Sequence, residues 1–266
     1  IMDAGYELCD QSPLGSGASY GIPLPLNREL TAELLSFSRV QRNALYANNS
    51  RGKIEASLLM GLLVVVLDIS KFSSDLIPFL LPELGYFQLP QEFFLGSSIM
   101  PQKRNPSFLE MIRARSNTFI SLVFQVISII NSLPSGYNQD FQETKEPFIK
   151  GLDIAEELIE IASLIIENLK PNEEALRKAC TPEIFAQDKA IELVKEGMPF
   201  REAYKKVAKE LDKVEAPEIE SALKKRSHIG GTGNLQLERL REEILSKQKE
   251  IAKRKEDWEK RISMLK

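Results

Sequence analysis

The sequence predicts an all-α fold, a bundle of long helices followed by a smaller helical domain. The segment Asn49–Leu81 is apolar nearly all round, as expected of a helix at the centre of a bundle. Apolar residues at helical spacing predict two further long helices, Ser107–Leu133 and Phe148–Leu169. The sequence contains no parallel-sheet pattern, nucleotide-type glycine loop or internal repeat that would favour another fold class.

The region before the long helices predicts one loop and one helix. Residues Asp10–Pro25 are rich in Gly, Pro and Ser, which is typical of a shaped loop or of a plain connection. Residues Asn27–Asn48 carry leucines, a phenylalanine and a valine roughly on one helical face. We therefore expect a single helix over Asn27–Asn48, ahead of the bundle helices.

The best candidate for a domain boundary is the tripeptide Lys170–Asn172, after which the predicted helices become shorter and Lys and Glu more frequent. This boundary predicts a central helical-bundle domain over residues 1–171, incomplete at its N-terminus, and a small C-terminal helical domain over residues 172–266. From Leu235 onward, acidic and basic residues are interleaved with sparse Leu and Ile. That pattern is typical of an exposed helix with charge pairs along its surface.

Composition excludes several classes of partner. The 266 residues are 43% hydrophobic and 27% charged with a formal net charge of -3, which is ordinary for a soluble globular protein. No basic field is available to hold nucleic acid, so we expect no nucleic-acid partner. The most apolar stretch, Ala56–Leu67, is followed by three charged residues and predicts a buried core helix, too short and too charged to span a bilayer.

The rarity of cysteine and histidine argues against metal sites and disulfides. The two cysteines, Cys9 and Cys180, lie far apart in the sequence and have no metal-ligand spacing. His228 is the single histidine, which excludes a His-rich metal cluster. We therefore expect no metal ion and a reducing, cytoplasmic location.

One polar stretch, GSSIMPQKRNP at residues 96–106, is difficult to explain as packing. Its glycine and serines allow the backbone to approach a ligand closely, while Lys103 and Asn105 add a compact charge and an amide. That combination suits a small polyanion. Asn105 and Pro106 also predict a helix start, with Asn as the N-cap and Pro at the first helical position. On composition alone, an ordinary helix start is the simpler interpretation.

The string GSSIMPQKRNP resembles the signature of the fumarase and argininosuccinate lyase superfamily, whose members cleave C–N or C–O bonds by β-elimination and release fumarate. The strings SPLGSGA, YNQDFQETKE and GMPFREA, which begin at Ser12, Tyr137 and Gly197, are similar to segments of argininosuccinate lyases. The resemblance implies a long-helix bundle of the fumarase/aspartase type. It further implies cleavage of argininosuccinate to arginine and fumarate, without a cofactor.

The resemblance also assigns roles to individual residues. Ser97, the first serine after the glycine, takes the proton from carbon, and Ser98 is structural. Lys103 balances the negative charge of the carbanion intermediate, and Asn105 binds a substrate carboxylate, a role that competes with capping the helix. The substrate-binding side chains of the second segment are Tyr137, Gln142 and Lys145.

The sequence departs from the family in one important respect. The superfamily's histidine lies in an upstream segment of TH-x-x-x-AQP type, and this chain contains no such string. His228 lies in RSHIGGTGN, where a lone histidine is expected to be a surface or capping group. The resemblance therefore covers only the C-terminal part of a family member, and we expect the chain to be catalytically incomplete by itself.

Members of the family are homotetramers with active sites shared between subunits, so the resemblance implies a homotetramer here. The alternatives within the superfamily are adenylosuccinate lyase, aspartase and fumarase, which share the signature but not the combination of the other three strings. A further alternative, of a different class, is a crystallin-like structural protein on the same scaffold.

Overall fold

The computed structural model describes residues 2–96 and 98–263, with side chains described from Gly5 onward. The chain is 66% helical, which confirms the all-α prediction. Its strands in the described ranges are two residues long: β1 (Gln11–Ser12), β2 (Arg39–Val40), β3 (Phe87–Gln88) and β4 (Lys170–Pro171).

Contacts divide the chain into two compact units, of which the first comprises residues 1–83, 87–170 and 254–266. The helices of the first unit are α1 (Met2–Cys9), α2 (Arg28–Leu34), α3 (Ala44–Asn49), α4 (Lys53–Phe79), α5 (Ser107–Ile130) and α6 (Lys145–Asn168). Short 3₁₀ helices lie at Gln91–Phe93 and Gln139–Thr144.

The second unit comprises residues 84–86 and 171–253 and has a small apolar core of its own. Its helices are α7 (Glu173–Ala179), α8 (Ala186–Lys195), α9 (Phe200–Lys209), α10 (Ile219–Lys225) and the first part of α11 (Leu237–Ser263). Two 3₁₀ helices, Pro182–Phe185 and Leu211–Lys213, connect them. The charged helix expected from Leu235 onward is present as α11, and none of its described residues is buried.

The long helices α4, α5 and α6 pack together around the core of the first unit. Fully buried side chains on each helix meet there, including Leu59 of α4, Phe119 of α5 and Leu158 of α6. At Gly52, directly before α4, the backbone has a φ of 75°, and a Cβ atom would lie 2.2 Å from Cγ2 of Ile130. The start of α4 therefore lies against the end of α5, and these two helices run antiparallel.

The expected single helix over Asn27–Asn48 is wrong. It is divided into α2 and α3 by residues 35–43, within which Ser36 has a φ of 69°. In this interval β2 pairs in parallel with β1, and the Gln41 N–H donates to the carbonyl of Ser12 over 3.0 Å. Because these backbone groups bond to β1 and the adjacent loop, they are not available to continue a helix.

The bundle helices carry large apolar side chains that the described part of the chain does not cover. They are distributed over all three long helices and include Met60, Val64, Leu67, Met111, Phe124, Ile149, Leu164 and Ile166. Many large exposed apolar side chains on one set of helices are typical of interaction sites on soluble proteins.

Among the described helices, α4 has the length and apolar composition of a membrane span. The prediction that its apolar stretch is too short for a bilayer is therefore wrong, because the helix continues on both sides of Ala56–Leu67. A single helix of this kind is weak support for a membrane location, since the core helix of a soluble protein has the same properties.

Candidate active site

The signature loop, residues 96–106, is closed at its base by paired backbone hydrogen bonds. The Leu95 N–H donates to the Asn105 carbonyl over 3.1 Å, and the Asn105 N–H donates to the Leu95 carbonyl over 3.0 Å. The rings of Phe93 and Phe108, one on each side of the loop, meet edge to face with centroids 5.7 Å apart. The loop is therefore fixed where it leaves the bundle.

Beyond this base, the described part of the loop is exposed. Lys103 is exposed, and its N–H donates to the carbonyl of Met100 over 3.1 Å. Ile99 is 86% exposed, and no atom lies within 4 Å of a Cβ atom placed on Gly96. The described residues at the tip of the loop are therefore accessible to solvent on this chain. The predicted proton acceptor, Ser97, lies outside the described residues.

The predicted N-cap of α5, Asn105, is wrong by one residue, whereas the first helical residue predicted from the apolar spacing is confirmed. The helix begins at Ser107, the cap position is Pro106, and no side chain caps this end. Asn105 instead joins the backbone pair with Leu95, and its side chain makes no hydrogen bond within residues 2–96 and 98–263. The competition between capping and ligand binding is thereby removed, since the Asn105 amide has no capping bond.

Two of the other predicted site residues lie close together at the start of α6. The 3₁₀ helix before α6 buries Phe141 and Thr144, and the Thr144 hydroxyl donates to the Phe141 carbonyl over 2.9 Å. Lys145, the first residue of α6, is exposed, and its Nζ donates to Oε1 of Gln142 over 2.8 Å. The buried residues of this turn therefore hold in place the side-chain amide of Gln142 and the ammonium group of Lys145.

Tyr137 is positioned through its backbone by the loop that contains SPLGSGA. Its N–H donates to the Ser19 hydroxyl over 2.9 Å, and the neighbouring Gly136 N–H donates to Oδ1 of Asn49 over 2.8 Å. The Tyr137 ring is 49% exposed. The residue that directly follows the SPLGSGA string therefore contacts the start of the YNQDFQETKE string at this end of the bundle.

The predicted site residues form two groups in the chain, at opposite ends of α5. Lys103 and Asn105 precede the helix, whereas Tyr137, Gln142 and Lys145 follow it. The 24 residues of α5 span about 35 Å at 1.5 Å per residue. No substrate of amino-acid size reaches across that distance, so one chain does not bring the two groups into a single site.

A cavity of about 540 Å³ lies beside Lys145 in the first unit, and its lining includes Cys9, Arg51, Glu55 and Lys145. Burial raises the pKa of the Cys9 thiol, and the neighbouring carboxylates of Glu55 and Asp10 raise it further. The thiol is therefore kept protonated at neutral pH and is a poor nucleophile there. This cavity offers cationic side chains but no activated thiol.

Sequence reasoning missed Arg51. Its guanidinium carbon lies 5.1 Å from the centre of the Tyr137 ring and 4.9 Å from the centre of the Phe141 ring. Nothing in the string NNSRGK connects this arginine with a segment more than 80 residues later. Only the antiparallel packing of α4 and α5 brings them together.

His228 is exposed in the turn after α10, where its carbonyl accepts a hydrogen bond from the Gly231 N–H over 2.9 Å. It belongs to the second unit, whereas the predicted site residues all belong to the first. Among the described residues, no group of three or more His, Cys, Asp or Glu side chains could hold a metal ion.

Sequence comparisons agree with the resemblance. A family model described as Lyase matches residues 6–119. Argininosuccinate lyase of Thermotoga neapolitana is 42% identical over 208 residues, covering 78% of this chain and 52% of the relative. Argininosuccinate lyase of Sorangium cellulosum is 41% identical over 240 residues, covering 90% of this chain and 56% of the relative. The chain thus spans about half the length of the curated relatives it matches.

Solved structures show the same fold. EDDS lyase in complex with formate matches with a TM-score of 0.63 and 27% identity over 77% of this chain and 41% of its own. Class II fumarase from Schistosoma mansoni matches with a TM-score of 0.58 and 14% identity, over 80% of this chain and 53% of its own. At that lower identity, the fumarase likeness concerns the fold alone.

Proposed function

We propose that this chain, which belongs to the fumarase and argininosuccinate lyase superfamily, is the C-terminal part of an argininosuccinate lyase. The observation that supports this most directly is the relationship to argininosuccinate lyases, which extends over 78% and 90% of the chain in the two relatives described. The reaction is the cleavage of argininosuccinate to arginine and fumarate, a step of arginine biosynthesis.

The signature loop supplies the groups that act on the carbon side of this elimination. Ser97 takes the proton from the carbon next to a carboxylate, and the released electron pair delocalises into that carboxylate. Lys103 stabilises the resulting dianion, since a cation aimed at developing charge lowers the barrier most effectively where water is excluded. Asn105 binds a substrate carboxylate through its side-chain amide, which does not cap α5. The C–N bond then breaks and the double bond of fumarate forms.

The second group of residues holds the substrate. Lys145 provides a second cation for its carboxylates, and its ammonium is already oriented by the 2.8 Å hydrogen bond to Gln142. Tyr137 contributes a half-exposed ring and hydroxyl on the same turn. Protonation of the leaving nitrogen requires an acid group, and the family's histidine segment is absent from this sequence. None of the reacting groups requires a metal ion or an organic cofactor.

An active site requires the two groups to come from different subunits, because in one chain they lie beyond opposite ends of α5, a helix about 35 Å long. The exposed apolar faces of α4, α5 and α6 provide a surface for such an assembly. We propose that this assembly is a homotetramer in the cytoplasm. In it, the apolar face of α4 packs against other subunits and not against lipid. No nucleic-acid partner is part of this proposal.

The alternatives differ in measurable ways. Adenylosuccinate lyase, aspartase and fumarase are less favoured, because the relatives at 36% to 42% identity are argininosuccinate lyases. A crystallin-like structural role is not favoured either, although fumarate lyase:delta crystallin from Brucella melitensis matches with a TM-score of 0.55. At 17% identity that likeness concerns the fold only.

The test uses a full-length chimaera, in which the N-terminal part of an argininosuccinate lyase relative precedes this chain. Fumarate release is followed by absorbance with argininosuccinate, adenylosuccinate, aspartate and malate as substrates. We expect turnover of argininosuccinate only. Turnover of another substrate would replace the proposed activity, and a folded assembly without any fumarate release would favour the structural role.

A further inference from the structure

Arg51 links two aromatic rings of the segment that carries the proposed substrate-binding residues. Its guanidinium carbon lies 5.1 Å from the centre of the Tyr137 ring and 4.9 Å from that of Phe141. Both distances are inside the limit of about 6 Å within which a cation is attracted to an aromatic face. One side chain at the start of α4 therefore contacts both rings of this turn.

The two rings differ in how firmly the rest of the protein holds them. Phe141 is 6% exposed and belongs to the 3₁₀ helix before α6, so its ring is fixed by packing. Tyr137 is half exposed, and its hydroxyl makes no hydrogen bond in the described ranges. Its backbone is held by Ser19, and its ring lies against the Arg51 guanidinium. The Arg51 guanidinium therefore connects the exposed Tyr137 ring to the buried Phe141 ring and limits the orientations of the Tyr137 ring.

Arg51 is itself well placed for this task. The backbone N–H of Arg51 donates to the Asn48 carbonyl over 3.3 Å, and the following residue, Gly52, packs against Ile130. Within residues 2–96 and 98–263 its guanidinium forms no ion pair with a carboxylate, and both aromatic faces lie within cation–π distance of it. A planar guanidinium stacks on rings in a way that the compact ammonium of lysine does not.

We propose that Arg51 is a positioning residue that orients the Tyr137 ring for substrate binding; this rests on the proposed function of the site. It acts through Tyr137 and does not take part in proton transfer. Loss of the stacked guanidinium should therefore weaken substrate binding and leave the chemical step nearly unchanged. A residue that only stabilised the fold would change neither quantity in a folded variant.

The kinetic test compares Arg51→Lys with Arg254→Lys in the full-length chimaera. Arg254 is a matched control, because its guanidinium lies 4.7 Å from the centre of the Tyr6 ring in the same type of contact. We expect Arg51→Lys to raise KM for argininosuccinate about tenfold and to change kcat less than about threefold, the pattern of lost uniform binding. Arg254→Lys should change neither.

A double-mutant cycle with Tyr137→Ala tests whether Arg51 acts through this ring. Once the ring is absent, Arg51→Lys should raise KM no further, because residues that act as one unit are not additive. An undiminished tenfold effect in the Tyr137→Ala background would overturn the proposal, as would an unchanged KM in Arg51→Lys.

A second measurement does not depend on activity. The 266-residue chain is labelled with 3-fluorotyrosine, and the fluorine resonance of Tyr137 is identified among those of the six tyrosines by its loss in Tyr137→Phe. We expect this resonance to shift or broaden in Arg51→Lys and to be unaffected in Arg254→Lys. A shift without any turnover of argininosuccinate would keep the positioning role and reject the proposed function. Turnover of argininosuccinate with an unchanged Tyr137 resonance in Arg51→Lys would support the proposed function and reject the positioning role.

Discussion

Asn105 and Lys145 lie beyond opposite ends of α5, whose 24 residues span about 35 Å at 1.5 Å per residue. Asn105 closes the base of the signature loop through its backbone pair with Leu95, and Lys145 begins α6 beyond the other end of α5. Both are proposed to contact one small substrate. The active site that we propose therefore forms only when different subunits bring these two ends together.

The first prediction concerns the proton acceptor. In the full-length chimaera, Ser97→Ala should lower kcat by about 10²-fold or more, since it removes the general base, while argininosuccinate still binds. Ser98→Ala is the matched control and should have a milder effect. Steady-state fumarate release and equilibrium binding of argininosuccinate measure the two quantities. A Ser97→Ala variant with nearly normal kcat would reject the assignment of the base.

The second prediction separates position from net charge. Lys103→Met and Lys145→Met should each reduce kcat/KM far more than Lys205→Met, although each substitution removes one positive charge. Lys103 and Lys145 are proposed to face substrate carboxylates, whereas Lys205 is exposed on α9. Equal losses in the three variants would mean that the enzyme responds to overall charge alone.

The third prediction tests the junction between α4 and α5. Gly52→Ala should destabilise the protein by about 2–4 kcal/mol, since a left-handed backbone disfavours alanine and the new Cβ overlaps Ile130. Gly197→Ala is the control, because its φ is 99° but open space surrounds its Cβ position. Urea unfolding of both variants gives the difference. Equal losses of stability would show that the contact with Ile130 contributes nothing.

The fourth prediction concerns the single histidine. His228→Ala in the chimaera should leave kcat within a few-fold of the parent, because His228 is exposed and its neighbours do not resemble the family's histidine segment. The pH profile of kcat should also be unchanged. A loss of about 10²-fold with an unaltered melting temperature would identify His228 as a general acid or base.

The sequence predicted the long helices well, because apolar residues at helical spacing continue over many turns in α4, α5 and α6. It failed at residues 35–43, where pairing of β2 with β1 depends on contacts that periodicity does not contain. It also failed to find Arg51, whose partners are brought to it only by the tertiary fold. The motif strings located the proposed site residues along the chain. Only the structure shows that these residues form two groups beyond opposite ends of α5.

The most direct test of shared active sites is complementation. The isolated 266-residue chain is mixed, after partial denaturation and refolding, with chimaeras that are inactive because of Ser97→Ala or because their histidine segment is disabled. The isolated chain retains Ser97 and lacks the histidine segment, so it can replace one missing part and not the other.

Fumarate release from argininosuccinate is then measured for each protein alone and for each mixture. We predict almost no activity from the isolated chain, recovery of activity when it is mixed with the Ser97→Ala chimaera, and no recovery with the histidine-disabled chimaera. Full activity of the isolated chain, or failure of the Ser97→Ala mixture to recover although both chains are present in one assembly, would contradict the proposal that different subunits complete one site.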